Sequence, residues 1–278
     1  MIDAHQHFLD PERVDYSWIS GPYEPLRRHH GPADLRPALD AAGIDRTISI
    51  QARNEMDETD ALLRMAAHDP RNAGVVGWVD LTDPAVGDVL AGLRARPDGS
   101  RLVGIRHLVQ DEPDAEWLLR PDVDRGLTAV AAADLVFDLL LRARDMPAAL
   151  SVVDRHPDLS FVVDHLAKPS IASRQLEPWA SLFRPFGARP NVSAKLSGFI
   201  TEMDWADWTS ADLVPYVRFA LDVLGPERLM FGSDWPVCLL AGSYEQVVGA
   251  LLDALGDIDE ADRATIFGGT ATRVYRLS

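Results

Sequence analysis

Along the 278 residues, short apolar runs alternate with segments of helical periodicity. The runs are Ile2–Phe8, Thr47–Ala52, Val75–Leu81, Leu102–Val109, Leu135–Leu141, Ser160–Leu166, Val192–Gly198 and Arg228–Gly232. They are rich in Val, Ile and Phe and mostly apolar on both faces, as strands are when a parallel sheet is packed inside and covered by helices outside. Helix punctuation fills the intervals. Asp83-Pro84 precedes Val86, Val89, Leu90 and Leu93, Ser243 with Gln246 resembles a capping box ahead of Val247, Val248, Leu251 and Leu252, and Gly43 and Gly225 suit helix ends. Strand then helix, repeated about eight times, predicts an α/β fold, a single (β/α)8 TIM barrel spanning residues 1–278 as one domain. An open doubly wound sheet is the alternative, and the lack of a glycine-rich phosphate turn after the first strand weakens it.

Two stretches fit the repeat poorly. Leu9–Pro32 holds Trp18, Tyr23, Arg27, Arg28, His29 and His30 among prolines and glycines. A connection this long after a barrel strand predicts a loop lid over the mouth. Ser170–Arg189, with Trp179, Phe183 and Phe186, predicts a helical cover after strand six.

Composition narrows the function classes. At 47% hydrophobic, the chain can bury one substantial core, and a barrel of roughly 250 residues consumes nearly all of it. A formal net charge of −16 argues against nucleic acid, whose phosphates need clustered Lys and Arg. No run approaches ~18 consecutive apolar residues, so no membrane partner is expected. Cys238 is the only cysteine, which excludes an internal disulfide and a thiolate metal cluster. With no basic and apolar leader around Met1-Ile2-Asp3-Ala4-His5, the expected compartment is the cytoplasm. A homo-oligomer stays open.

Candidate chemistry collects at strand ends. His5 and His7 lie two apart in the first strand and so share a face. By itself an H-x-H pair is as consistent with two structural histidines as with a site. Strand four, however, adds Arg106 and His107, strand five Asp138, strand six His165, strand seven Lys195 and strand eight Asp234. Buried polar groups are expensive unless partnered, and barrel enzymes gather theirs at the C-terminal strand ends. Lys168 and Lys195 are the only lysines in an arginine-rich chain, which marks them for a role that a compact ammonium fills; for Lys168, at a turn before Pro169, chance is an equally good explanation.

The ordered set His5-Gln6-His7, Gly104-Ile105-Arg106-His107, Asp164-His165-Leu166-Ala167-Lys168-Pro169, Lys195-Leu196-Ser197-Gly198 and Phe231-Gly232-Ser233-Asp234-Trp235-Pro236 resembles the amidohydrolase superfamily. The resemblance is to its branch of sugar lactonases and 2-pyrone-4,6-dicarboxylate lactonase, and the closing Ile266–Ala271 and Val274-Tyr275 extend it to the C-terminus. It implies a hydrolase that opens a small polyhydroxylated lactone, with Asp234 as general base and His5, His7 and His165 polarising the carbonyl. His5, His7, His165 and Asp234 match positions that hold a divalent ion, commonly zinc, in metal-dependent members. This sequence lacks a bridging Lys or Glu on strand four and has Asp138 on strand five. The expectation is therefore at most one ion, with none strictly required. Arg106, His107, Asp138 and Lys195 are expected to form the hydroxyl-binding and charge-balancing shell, with Trp18, Arg53, Asn54 and Trp235 as weaker rim candidates. The rival reading is a zinc-dependent decarboxylase of an unsaturated or aromatic acid; an amide or ester hydrolase and a catalytically silent sugar-binding barrel complete the alternatives.

Overall fold

The computed structural model describes residues Met1–Ser278. Eight parallel strands pair in sequence order: β1 Ile2–Gln6, β2 Arg46–Ile50, β3 Asn72–Gly77, β4 Leu102–His107, β5 Val136–Leu139, β6 Phe161–Val163, β7 Val192–Leu196 and β8 Leu229–Phe231. The ring is completed where a bridge joins Gln6 to Trp235 just beyond β8. This is the expected (β/α)8 barrel. β3 begins at Asn72 rather than Val75 because the Asn72 amide is buried against Ser49 Oγ (2.7 Å), a polar strand position invisible to an apolar pattern.

The outer layer comprises α1 Pro32–Ala42, α2 Met56–His68, α3 Val86–Arg94, α4 Pro121–Ala132, α5 Met146–Arg155, α6 Trp179–Phe183, α7 Ser210–Leu224 and α8 Tyr244–Leu255. Ser243 caps α8 through the Gln246 N–H, the predicted capping box, and Gly43 ends α1 in the left-handed conformation. Two short helices follow, α9 Glu260–Ala264 and α10 Thr270–Val274. No helix is long and apolar enough to cross a membrane.

Two cores result. The larger lies between strands and helices. A smaller one fills the barrel, where Ile2, Ala4, Ile48, Ile50, Val136 and Met230 meet Ala271, Val274 and Tyr275 of the C-terminal segment. The C-terminus therefore plugs one end of the barrel and leaves the other as the mouth. The helical segment expected after strand six is α6 with the turn Arg184–Ala188, and it takes its place in the outer layer: Trp179 packs on Tyr216 and Phe219 of α7, with Phe183 stacked on Trp179. The stretch after β1 supplies Trp18 and Tyr23 to the mouth cavity.

Candidate active site

A break in strand register builds the site. Asp3 pairs with Thr47 but Gln6 with Ser49, so β1 carries one extra residue, a bulge. Strict alternation would put Asp3 and His5 on one face. Instead Asp3 points outward to Tyr244 of α8, while His5 and His7 point into the barrel.

His5 sits at the centre. Its Nε2 lies 3.2 Å from His7 Nε2 and 3.7 Å from Asp234 Oδ1, and His7 Nε2 lies 3.4 Å from the same oxygen. His165 is beside it, ring centroids 4.4 Å apart, with Nδ1 2.9 Å from Ser197 Oγ. His165 reaches this place through a short left-handed turn: His165, Leu166, Ala167 and Lys168 all have φ between 50° and 59°. Such a run costs about 1–2 kcal/mol per residue and clusters at functional sites. Trp179 Nε1 donates to Leu166 O inside the turn. Gly198 is equally constrained, since at φ 64° a Cβ would lie 2.5 Å from His165 Nδ1.

Beneath the histidines lies a dry ion network. Lys195 Nζ is 2.6 Å from Asp138 Oδ2, 2.9 Å from Asp164 Oδ1 and 3.2 Å from His5 Nδ1. Arg106 Nη1 donates to Asp164 Oδ2 (2.9 Å) and its other terminal nitrogen to Gln51. Tyr275 Oη reaches up from the C-terminal plug to donate to Asp138 (2.8 Å). Burial pushes the Asp138 carboxyl up to about 6, and the Lys195 ammonium limits the rise. Asp164, equally buried, is held well below the carboxylate range by Lys195, His5 and Arg106. Asp234 behaves likewise: burial pushes it up, and His165, His7 and His5 outweigh that and hold it ionised. Burial lowers His165 to about 4 and His5 well below its ordinary value, which favours the neutral imidazole at both.

The mouth above is a cavity of about 200 Å³. His7, His165, Asp234 and Arg106 form its floor, and Trp18, Tyr23, Lys168, Arg142 and Glu202 are among its walls. Of the residues expected to touch a ligand, Lys195 and Asp138 are 0% exposed and lie under the floor, neutralising one another; polar groups in strand interiors served each other. His107 faces away, stacked on Trp117 at 4.0 Å, with Nδ1 accepting from Trp78 and Nε2 donating to Glu112. Asn54 sits against His107, Arg53 pairs with Asp57, and Trp235 packs edge-on against Phe8 and His30. Trp18 does line the cavity, its indole N–H fixed to Ala52 O (3.0 Å). The sequence placed Tyr23 in the expected lid but marked no role for Arg142 or Glu202, which lie in short connections after β5 and β7 that carry no periodicity. Asp164 could have been flagged by its adjacency to His165.

Residues 2–277 match the amidohydrolase family model. The chain belongs to the amidohydrolase family. This amidohydrolase is 38% identical to an L-fucono-1,5-lactonase of Burkholderia multivorans over 99% of its own length and 96% of the relative's. A crystal structure of an amidohydrolase from Burkholderia multivorans with bound zinc superposes with a TM-score of 0.93 at 38% identity, covering 100% of this chain and 99% of that one. A 2,6-dihydroxybenzoate decarboxylase from Rhizobium, 17% identical with a TM-score of 0.71 over 99% and 98% of the two chains, shares the fold.

The donor set of this amidohydrolase fits one divalent ion. His7 Nδ1–H donates to Ile50 O (2.8 Å), which leaves Nε2 as a lone pair aimed at His5 Nε2 and the Asp234 carboxylate. With the three atoms 3.2, 3.4 and 3.7 Å apart, a point equidistant from them lies about 2.0 Å from each, within the ordinary zinc bond range of about 2.0–2.2 Å. Buried Arg106 and Lys195 face buried Asp138, Asp164 and Asp234, so one further positive charge, a proton or an ion, balances the cluster. A second ion, at the other buried group of possible ligands, His5, Asp164 and His165, fits poorly, because Asp164 already holds Arg106 and Lys195 at 2.9 Å each.

Proposed function

We propose that this amidohydrolase opens a sugar lactone by water attack on the ring carbonyl, with Asp234 as the base. The observation that carries the reading is an ionised, nearly buried carboxylate among three imidazoles at the floor of a polar cavity, in a chain 38% identical along its length to an L-fucono-1,5-lactonase. L-Fucono-1,5-lactone is accordingly the first substrate to test.

The carbonyl lies over the histidines and a water lies against Asp234. Asp234 takes a proton from the water as its oxygen bonds to the carbonyl carbon, and the carbonyl electrons move onto oxygen. With Ser197 Oγ–H donating to His165 Nδ1, the Nε2–H faces the cavity and stabilises this oxyanion. His5 and His7 hold the same charge through a proton shared between their Nε2 atoms. A divalent ion bound by His5, His7 and Asp234, with His165 adjacent, would supply Lewis-acid polarisation of the carbonyl. Collapse then breaks the bond to the ring oxygen, and Asp234 returns its proton to that leaving alkoxide. The aldonic acid formed ionises and releases one proton. Arg142, Lys168 and Glu202 on the walls, with Arg106 at the floor, supply donors and acceptors for ring hydroxyls.

The test is proton release from a panel of aldonolactones, with chelator-treated and zinc-reconstituted protein. Asp234→Asn preserves shape and most hydrogen bonding but removes the base, so kcat should fall by about 10²- to 10⁴-fold while ligand binding survives. A folded Asp234→Asn protein with near-wild-type kcat refutes the assignment. Carbon dioxide evolved from an aromatic acid, with no lactone opened, would favour decarboxylation instead.

A further inference from the structure

The seam between β8 and β1 lacks a regular ladder, yet the base hangs on it. Asp234 N–H donates to His5 O (2.8 Å), His7 N–H donates to Trp235 O (2.7 Å), and Asp234 itself adopts φ 59°. Aspartate tolerates the left-handed region better than most residues, and here the backbone bonds of the seam hold it there. Asp3 spans this seam. Its Oδ1 accepts both the His5 N–H (3.1 Å) and the Ser233 N–H (2.9 Å), and its Oδ2 accepts the Tyr244 hydroxyl (2.9 Å) from α8. Ser233 Oγ then accepts the Trp235 N–H (3.0 Å). The seam is also tight, for a Cβ on Gly232 would stand 2.6 Å from His5 Cβ.

We propose that Asp3, held by Tyr244, is a positioning residue that closes the β1 bulge and fixes the Ser233-Asp234 turn, thereby setting the separation of Asp234 from His5 and His7. One carboxylate thus joins the strand that carries two imidazoles to the turn that carries the base. Asp3 is 0% exposed on the helix side of the strand, and neither it nor Tyr244 lines the mouth cavity, so it acts through Asp234 and not on the substrate. The catalytic part of this inference rests on Asp234 being the base.

Three variants test it: Tyr244→Phe, Asp3→Asn and Asp3→Ala. Each is followed by thermal melting, by kcat and KM on the best lactone, and by hydrogen exchange over residues 232–236. Misplacement of a catalytic group by about 1 Å can cost 10²-fold. Tyr244→Phe should lower kcat about tenfold and Asp3→Ala about 10²-fold, with KM within about twofold. Asp3→Asn keeps an oxygen for the two backbone donors and should recover most of what Asp3→Ala loses. Exchange should accelerate at Ser233 and Asp234. Wild-type kcat in folded Tyr244→Phe and Asp3→Ala overturns the proposal, as does an Asp3→Asn protein no better than Asp3→Ala. Should Asp3→Ala not fold, Tyr244→Phe decides: a roughly tenfold lower kcat with faster exchange at residues 232–236 upholds the proposal, and wild-type kcat overturns it. Should the wild type open no lactone, the proposed function fails separately. The clamp is then judged by exchange in Tyr244→Phe: acceleration confined to 232–236 upholds it, and unchanged protection overturns it.

Discussion

Lys195→Met separates a charge that holds the barrel together from one that holds the substrate. The ammonium is sealed from solvent and sits 2.6 Å from Asp138 and 2.9 Å from Asp164. Without it Asp164 retains Arg106 at 2.9 Å, whereas Asp138 retains only the Tyr275 hydroxyl. Removing one partner of a buried ion pair typically costs about 3–5 kcal/mol, because the survivor is left charged and dry. At about 2.1 cal/mol/K per residue, a chain of 278 residues unfolds with an entropy of about 0.6 kcal/mol/K, so the loss amounts to about 5–9 °C in Tm. Protonation relieves it. Asp138 has a folded-state value already raised to about 6, and loss of Lys195 raises it further. A raised carboxyl contributes stability that is present below its unfolded value of about 3.9 and lost as pH climbs through its folded value. The Tm gap between variant and wild type should therefore be widest at pH 8 and narrow towards pH 5. Adding Asp138→Asn to the variant should recover part of the Tm at pH 8. Scanning calorimetry at several pH values measures all of this, and KM for the lactone should stay within about twofold while kcat falls through His5. A Tm within about 2 °C of wild type at pH 8, or a raised KM with normal stability, would refute the buried-counter-charge reasoning and return Lys195 to the substrate.

Two further outcomes are expected. Glu58 in α2 accepts the Ala52 and Arg53 N–H groups through Oε2, while Oε1 is buried without a partner and burial raises the carboxyl to about 7. Glu58→Gln should therefore be more stable than wild type at pH 8, by about 3 kcal/mol at most, with the advantage fading as pH falls to 5; urea titrations at the two pH values check the sign, and a larger advantage at pH 5 contradicts it. Calorimetric titration of chelator-treated protein with zinc should fit no more than one ion and raise Tm, and His7→Ala should weaken the binding; two stoichiometric ions would contradict the single-ion reading.

The barrel was legible in the apolar runs along the chain. Eight apolar runs separated by helical periodicity leave few ways to bury both faces of each strand, and the missing glycine-rich turn after the first strand favours the barrel over an open doubly wound sheet. The sequence also marked the polar strand ends, because His5, His7, His165 and Asp234 interrupt that pattern where hydrocarbon is expected. What those residues face was decided only by the tertiary structure. Period-2 alternation holds within a strand but breaks at the β1 bulge, which turns Asp3 to the helices and His5 to the interior. Lys195 and Asp138, distant in sequence and equally polar, neutralise each other beneath the floor instead of meeting a ligand, a pairing fixed by β5 and β7 flanking β6 in the barrel wall. The plug formed by Tyr275 and the wall positions of Arg142 and Glu202 have the same origin. Burial and charge compensation are properties of neighbours in space, and local sequence carries no record of which strand end stands opposite which.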